Sequence, residues 1–190
     1  MGNKYLPQIV TASSSGISSP LDISGAVLWL DASDTTKMFT DAGTTQVSAD
    51  GQAVQQWNDK STSAANATQT SVGNRPVYKT AIRNEKSILR FDGIVSNFSL
   101  ALTRSSENRT VFIVAGNMPT AGTIKYFFDS ETGRFVLAQL GNTANTVQFY
   151  DGSWVGSAAA TATFQCLTYR LASAGAEIYR NGASIATGAH

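Results

Sequence analysis

The punctuation of the chain from residue 26 onward constrains its fold most. Apolar or alternating runs of a few residues are each closed by Gly, Asn, Asp, Ser or Thr. No long stretch follows the helical period, and the sequence holds only four glutamates, so strands are expected rather than helices. They are expected over residues 26–30, 87–91, 110–115, 124–129, 134–140, 147–150, 162–171, 176–180 and 183–187. Val147 and Phe149 alternate with Gln148 and Tyr150, the pattern of a sheet with one face on a core and one toward water. Val111-Phe112-Ile113-Val114 is apolar on both faces and reads as a central strand. Asn181-Gly182, between two apolar runs, is the strongest hairpin signal, because a type I′ turn needs positive φ at both central residues. Asp151-Gly152 and Thr132-Gly133 punctuate further hairpins less decisively, and residues 31–77 carry no clear strand.

Short antiparallel strands in a chain of 190 residues leave two packed sheets or a closed barrel as the ways to bury their apolar faces. The sandwich is the expectation: an all-β fold of one domain over residues 21–190, preceded by an extended arm over residues 1–20. Residues 11–20 have almost nothing to bury and read as a tether. In front of them Tyr5, Leu6, Ile9 and Val10 form a short apolar segment suited to docking as a strand on a protein partner. Fourteen Lys and Arg oppose thirteen Asp and Glu, which leaves no positive field for nucleic acid. The longest apolar runs are far too short to span a bilayer, and the first ten residues lack the apolar core of a secretory leader. The single cysteine, Cys166, sits in a strand-like run and is expected to pack as a small hydrophobe.

Four pieces of sequence occur in order: Ala26-Val27-Leu28-Trp29-Leu30-Asp31-Ala32-Ser33-Asp34, Gln56-Trp57-Asn58-Asp59-Lys60-Ser61, Leu89-Arg90-Phe91-Asp92-Gly93 and Ile178-Tyr179-Arg180-Asn181-Gly182. Together they resemble the laminin-G-like, concanavalin A-like modules of bacterial surface proteins and phage structural proteins. The resemblance implies a two-sheet antiparallel jelly roll and says little about ligand. In such modules the Asn-Gly hairpin is usually followed by further strands, whereas this sequence stops at His190. The expectation is therefore a jelly roll lacking its last strands, either as a fragment or completed along an open edge by another polypeptide.

No enzymatic activity is expected. A retaining glycosidase needs two carboxylates about 5 Å apart, and Glu85, Glu107, Glu131 and Glu177 are scattered among different turns and strands. The one histidine is the last residue, which removes His-based triads and His-rich metal sites. Calcium is the ligand that Asp31, Asp34, Asp59 and Asp92 would suit, as hard oxygen donors at strand ends and loops. The preferred reading of these aspartates is that they accept from backbone N–H groups in turns, with no cofactor bound. Exposed aromatics are platforms for sugar rings, and Trp154, Tyr150 and Tyr78 are the candidates, while Trp57 reads rather as core. The functional expectation is a phage virion component, a head decoration or fibre-like protein. It would be attached by its N-terminal segment to capsid proteins or copies of itself, presenting the jelly roll for surface or glycan binding. The alternative is a carbohydrate-binding or adhesion module of a larger secreted bacterial protein, placed outside the cell or at its surface.

Overall fold

A computed structural model of the chain describes residues 16–102, 108–116, 125–130, 135–140, 146–151 and 154–189. The docking segment Tyr5, Leu6, Ile9 and Val10 lies outside them, as do the turn residues Thr132, Gly133 and Gly152. Among the described residues there are strands and three short 3-10 turns but no α-helix, so the chain is all-β. Among the described residues no helix is long and apolar enough to cross a membrane. The chain forms two compact units, Met1–Leu102 and Thr103–His190. This division falls inside the range 21–190 that the sequence reading treats as one domain. The described end of the expected tether is a hydrogen-bonded turn. Ser19 caps Pro20–Asp22, and the Asp22 carboxylate accepts from the N–H groups of Ser18 and Ser19 at 2.8 Å each.

In the first unit, β1 (Met38–Phe39), β2 (Gln56–Trp57) and β3 (Ala67–Thr68) form a small antiparallel sheet. A hairpin of β4 (Val77–Arg83) and β5 (Lys86–Arg90) follows. It turns through Asn84 and Glu85 at φ of 48° and 60°, the positive values a tight hairpin requires. Met38, Val47, Val54 and Tyr78 are buried together, with Trp57, Leu89 and Phe98 packed against them. Much of the region between residues 31 and 76 is organised by side chains bonded to backbone rather than by ladders. Arg75, for example, donates to the carbonyls of Thr40, Gln69 and Thr70. Residues 26–30, expected as a strand, are not one. The Trp29 N–H donates to the Asp59 carboxylate at 2.8 Å, and the Trp29 carbonyl accepts from Lys60 N–H at 2.9 Å. A side-chain oxygen thus takes the place of a ladder carbonyl.

The second unit holds β6 (Arg109–Ala115), β7 (Lys125–Asp129), β8 (Phe135–Leu140), β9 (Thr146–Asp151), β10 (Trp154–Ala159), β11 (Gln165–Ala172), β12 (Gly175–Arg180) and β13 (Ala183–Gly188). They make two four-stranded antiparallel sheets, ordered β10-β9-β8-β7 and β13-β12-β11-β6. Alternation decides which face each strand buries. Leu167, Tyr169 and Leu171 of β11 and Ala176 and Ile178 of β12 meet Val147 and Phe149 of β9 in one core. A fully buried side chain such as Leu167 or Ile178 contributes about 1.5–3 kcal/mol. Arginines join the two sheets: Arg109 of β6 pairs with Asp151 of β9, and Arg180 of β12 donates to the Ala159 carbonyl of β10 at 2.5 Å.

The β12–β13 hairpin turns at Asn181 and Gly182, with φ of 50° and 84°, as the type I′ expectation requires. Asn181 also accepts from the Cys166 N–H through its side chain and donates its own N–H to the Cys166 carbonyl, fixing the turn to β11. One expectation is corrected: Val111-Phe112-Ile113-Val114 is not central among the described strands, since β6 ends its sheet, and Phe112 and Val114 stand 61% and 76% exposed. At the other end of that sheet β13 pairs only with β12 among the described strands, and β10 of the other sheet lies beside it.

Candidate functional site

The aspartates proposed as calcium ligands are each held by hydrogen bonds or an ion pair. Asp59 is 8% exposed and accepts from the N–H groups of Trp29 and Ser61 at 2.8 Å and of Ala65 at 3.0 Å, and from the Ser61 hydroxyl at 2.6 Å. Burial pushes its carboxyl upward, but the bonds from Ser61, Trp29 and Ala65 outweigh burial and hold it below the ordinary aspartate value. Asp92 accepts from the successive N–H groups of Ile94, Val95 and Ser96 at 2.8, 3.0 and 2.9 Å. Those of Ile94 and Ser96 do most to bring its pKa to about 2.

Asp31 and Asp34 are brought together by a cation of the chain itself. Lys60 Nζ lies 3.1 Å from Asp31 Oδ2 and 2.9 Å from Asp34 Oδ2, and 4.1 Å from the centre of the Trp29 ring. The ammonium therefore supplies the positive charge between these two carboxylates, and the ring face adds a cation–π contact. Burial pulls Lys60 down, while Asp34 and Asp31 outweigh it and raise its pKa. Among the described residues no three His, Cys, Asp or Glu side chains are grouped to hold a metal ion. The arrangement can tie residues 29–34 to residues 59–65, a positioning task. Lys60 is the member that sequence reading passed over, since no local pattern links it to acids 26 and 29 residues earlier.

The aromatic candidates separate. Tyr78 is 4% exposed, inside the first unit's core, and its hydroxyl bonds Ser87 Oγ at 2.8 Å, so its ring offers no open platform. Trp57 packs against Phe98 with ring centres 6.3 Å apart, as a core residue would. Trp154 and Tyr150 are brought together. They lie directly opposite each other on β10 and β9, their rings edge to face at 66° with centres 5.2 Å apart. Trp154 is 44% exposed. The edge-to-face contact fixes the angle of an indole that still opens to water, the condition for stacking on an apolar ring face. Tyr126 of β7, also on the second unit and 47% exposed, escaped sequence reading because Lys125-Tyr126-Phe127-Phe128 does not alternate.

Comparison with known protein families, curated proteins and solved structures found no match to this chain.

Proposed function

We propose that this chain is a non-catalytic display module of the laminin-G-like, concanavalin A-like jelly-roll kind, which binds glycans through Trp154 and Tyr150. The observation that carries the reading is this edge-to-face pair on one sheet of the second unit, with the indole 44% exposed. A core aromatic would be buried, whereas this indole keeps an open face and is held at a fixed angle by the tyrosine opposite it. The two sheets sharing a core and the Asn181-Gly182 hairpin support the jelly-roll part. The non-catalytic part rests on the carboxylates: Glu177 is engaged by Arg170 at 2.8 Å and by the Tyr179 hydroxyl at 2.6 Å, and Glu85 sits in the β4–β5 turn. Mounting on a larger body, in the first place a phage particle, is the part drawn from the sequence of residues 1–20.

The test is a glycan array followed by titration of the best ligand into the wild type and Trp154→Ala. An aromatic platform contributes about 0.5–1.5 kcal/mol beyond its buried area, so the variant should lose most of its binding while keeping its melting temperature. A blank array, or unchanged affinity in Trp154→Ala, overturns the reading.

A further inference from the structure

A sheet edge offers its outer row of N–H and C=O groups to any passing strand, and the edges of the second unit are not alike. Among the described strands its two sheets end in β7, β10, β13 and β6. Three of these break register with the strand beside them. The break falls between Tyr126 and Phe128 on β7, between Val155 and Ala158 on β10, and opposite Ile178 and Tyr179 on β13. A bulge of this kind bends the strand and turns its outer row away from a regular partner. β6 has none. Its seven residues pair with β11 without a break, from Arg109 opposite Leu171 to Ala115 opposite Gln165, and no described strand lies on its other side.

The composition of β6 sharpens the contrast. After Arg109 it reads Thr-Val-Phe-Ile-Val-Ala, with no charge, proline or glycine to guard the edge. Val111 and Ile113 pack on the core, so Phe112 and Val114 point to the other face, where they stand 61% and 76% exposed. A second β6 is complementary to this edge. Phe112 is the middle residue of the strand, so an antiparallel pair overlapping along its whole length sets Phe112 against Phe112, Val111 against Ile113 and Thr110 against Val114. Residues directly opposite share a face, so the core-facing rows of the two copies run on into each other and the two phenyl rings meet outside. The overlap also suits the charges. Arg109, paired with Asp151 of its own copy, falls beside Ala115 of the second copy. The two arginine backbones end about 20 Å apart, beyond two Debye lengths at physiological salt, so the strand ends do not repel.

We propose that two copies of this chain pair through β6, antiparallel and centred on Phe112, joining two four-stranded sheets into one continuous sheet about a twofold axis. An edge about 24 Å long and one layer about 10 Å deep gives a contact below the ~1,200 Å² of permanent complexes, so the dimer is a reversible one. Sedimentation equilibrium of the full chain, from micromolar to millimolar concentration, should show monomer and dimer in exchange. Phe112→Lys sets two like charges face to face at an exposed position, so it should weaken the dimer about tenfold or more and leave the melting temperature unchanged. Phe112→Glu should do the same, and an equimolar mixture of the two variants should recover a dimer. Cys166, the chain's single cysteine, lies opposite Val114 on β11. Three strand spacings and a four-residue step put the two Cys166 backbones about 20 Å apart in the dimer, which dipolar coupling between nitroxides attached there reads without any substitution. Should Phe112→Lys fail to fold, that distance decides. A chain monomeric throughout the concentration range, a dimer that persists in Phe112→Lys, or nitroxides too far apart for this geometry overturns the proposal.

Discussion

Removal of the Asp59 carboxylate should unfold the first unit more readily than loss of any surface ion pair. The side chain is 8% exposed and takes bonds from three backbone N–H groups, those of Trp29, Ser61 and Ala65. In Asp59→Ala all three lose their acceptor. A backbone donor left without a partner costs about 1–3 kcal/mol, and because some water can reach this site the low end applies, for a total of about 3 kcal/mol. Asp59→Asn keeps an oxygen for Trp29 and Ser61 but turns an amide N–H toward the Ala65 N–H, so it should cost about 1–2 kcal/mol. The assay is urea unfolding followed by tryptophan fluorescence in a Trp154→Phe background. The chain has three tryptophans, so this leaves Trp29 and Trp57 as reporters of the first unit. Trp29 itself donates to Asp59, so its emission reads the perturbed contact directly. An Asp59→Ala variant within about 0.5 kcal/mol of its background, the range of ordinary surface substitutions, would refute the reasoning. So would an asparagine variant weaker than the alanine one.

Asp151→Ala should destabilise the second unit more than loss of an exposed pair, because it removes an ion-pair partner of the part-buried Arg109 that joins the sheets. Asp50→Ala, which breaks the exposed pair with Lys79 and removes the acceptor of the Thr80 N–H, should lower the denaturation midpoint less than Asp151→Ala does in the same assay. Bonds from Thr45 and Thr44 hold Asp41, and bonds from Ile94, Ser96 and Val95 hold Asp92, at about 2 in the folded chain. Folded values below the ordinary aspartate value mean that this stability is complete above about pH 3.8 and lost as pH falls toward about 2. A melting temperature that stays flat through that window would contradict the assignment. Gly116→Ala should cost more than Gly182→Ala in thermal melts, since a Cβ at Gly116 would stand 2.5 Å from the Phe164 ring, while Gly182 has open space and only its φ of +84° to strain.

The parts of the fold that could be read from sequence are those where one local signal suffices. The Asn181-Gly182 hairpin and the strands Gly175–Arg180 and Ala183–Gly188 follow from turn chemistry and alternation within a few residues. The β4–β5 hairpin has the same positive φ values at its turn, but Asn84-Glu85 offers no glycine to announce them, and Val77–Arg83 went unread as a strand. Residues 26–30 failed in the opposite direction. Their apolar run reads as a strand, but the acceptor for Trp29 N–H is a carboxylate thirty residues away, which no strand pattern encodes. The aspartates were legible as turn acceptors because Asp92 bonds two to four residues onward. Lys60 was not, because its partners lie 26 and 29 residues back along the chain.

The candidate binding face shows where such legibility ends. Trp154 and Tyr150 could be paired in advance, because only Asp151-Gly152-Ser153 separates them and a tight turn brings its flanks into register. Tyr126 could not be joined to them, since its place depends on two further strand pairings and on the one-residue bulge at Phe127. Alternation counted straight through Lys125–Asp129 puts Tyr126 and Asp129 on opposite faces, and counted with the bulge it puts them together. The bulge is itself a consequence of composition: Phe127 and Phe128 both pack on the core, and a regular strand would have turned one of them to water. A regular strand would bury one of the two rings, so the bulge gains the partial burial of the second, set against one lost ladder bond. The same choice that completes the core thus sets Asp129 on the face of Tyr126. Adjacent bulky apolar residues in an otherwise alternating strand are the sequence mark of this arrangement, with the residues on either side of the pair sharing one face.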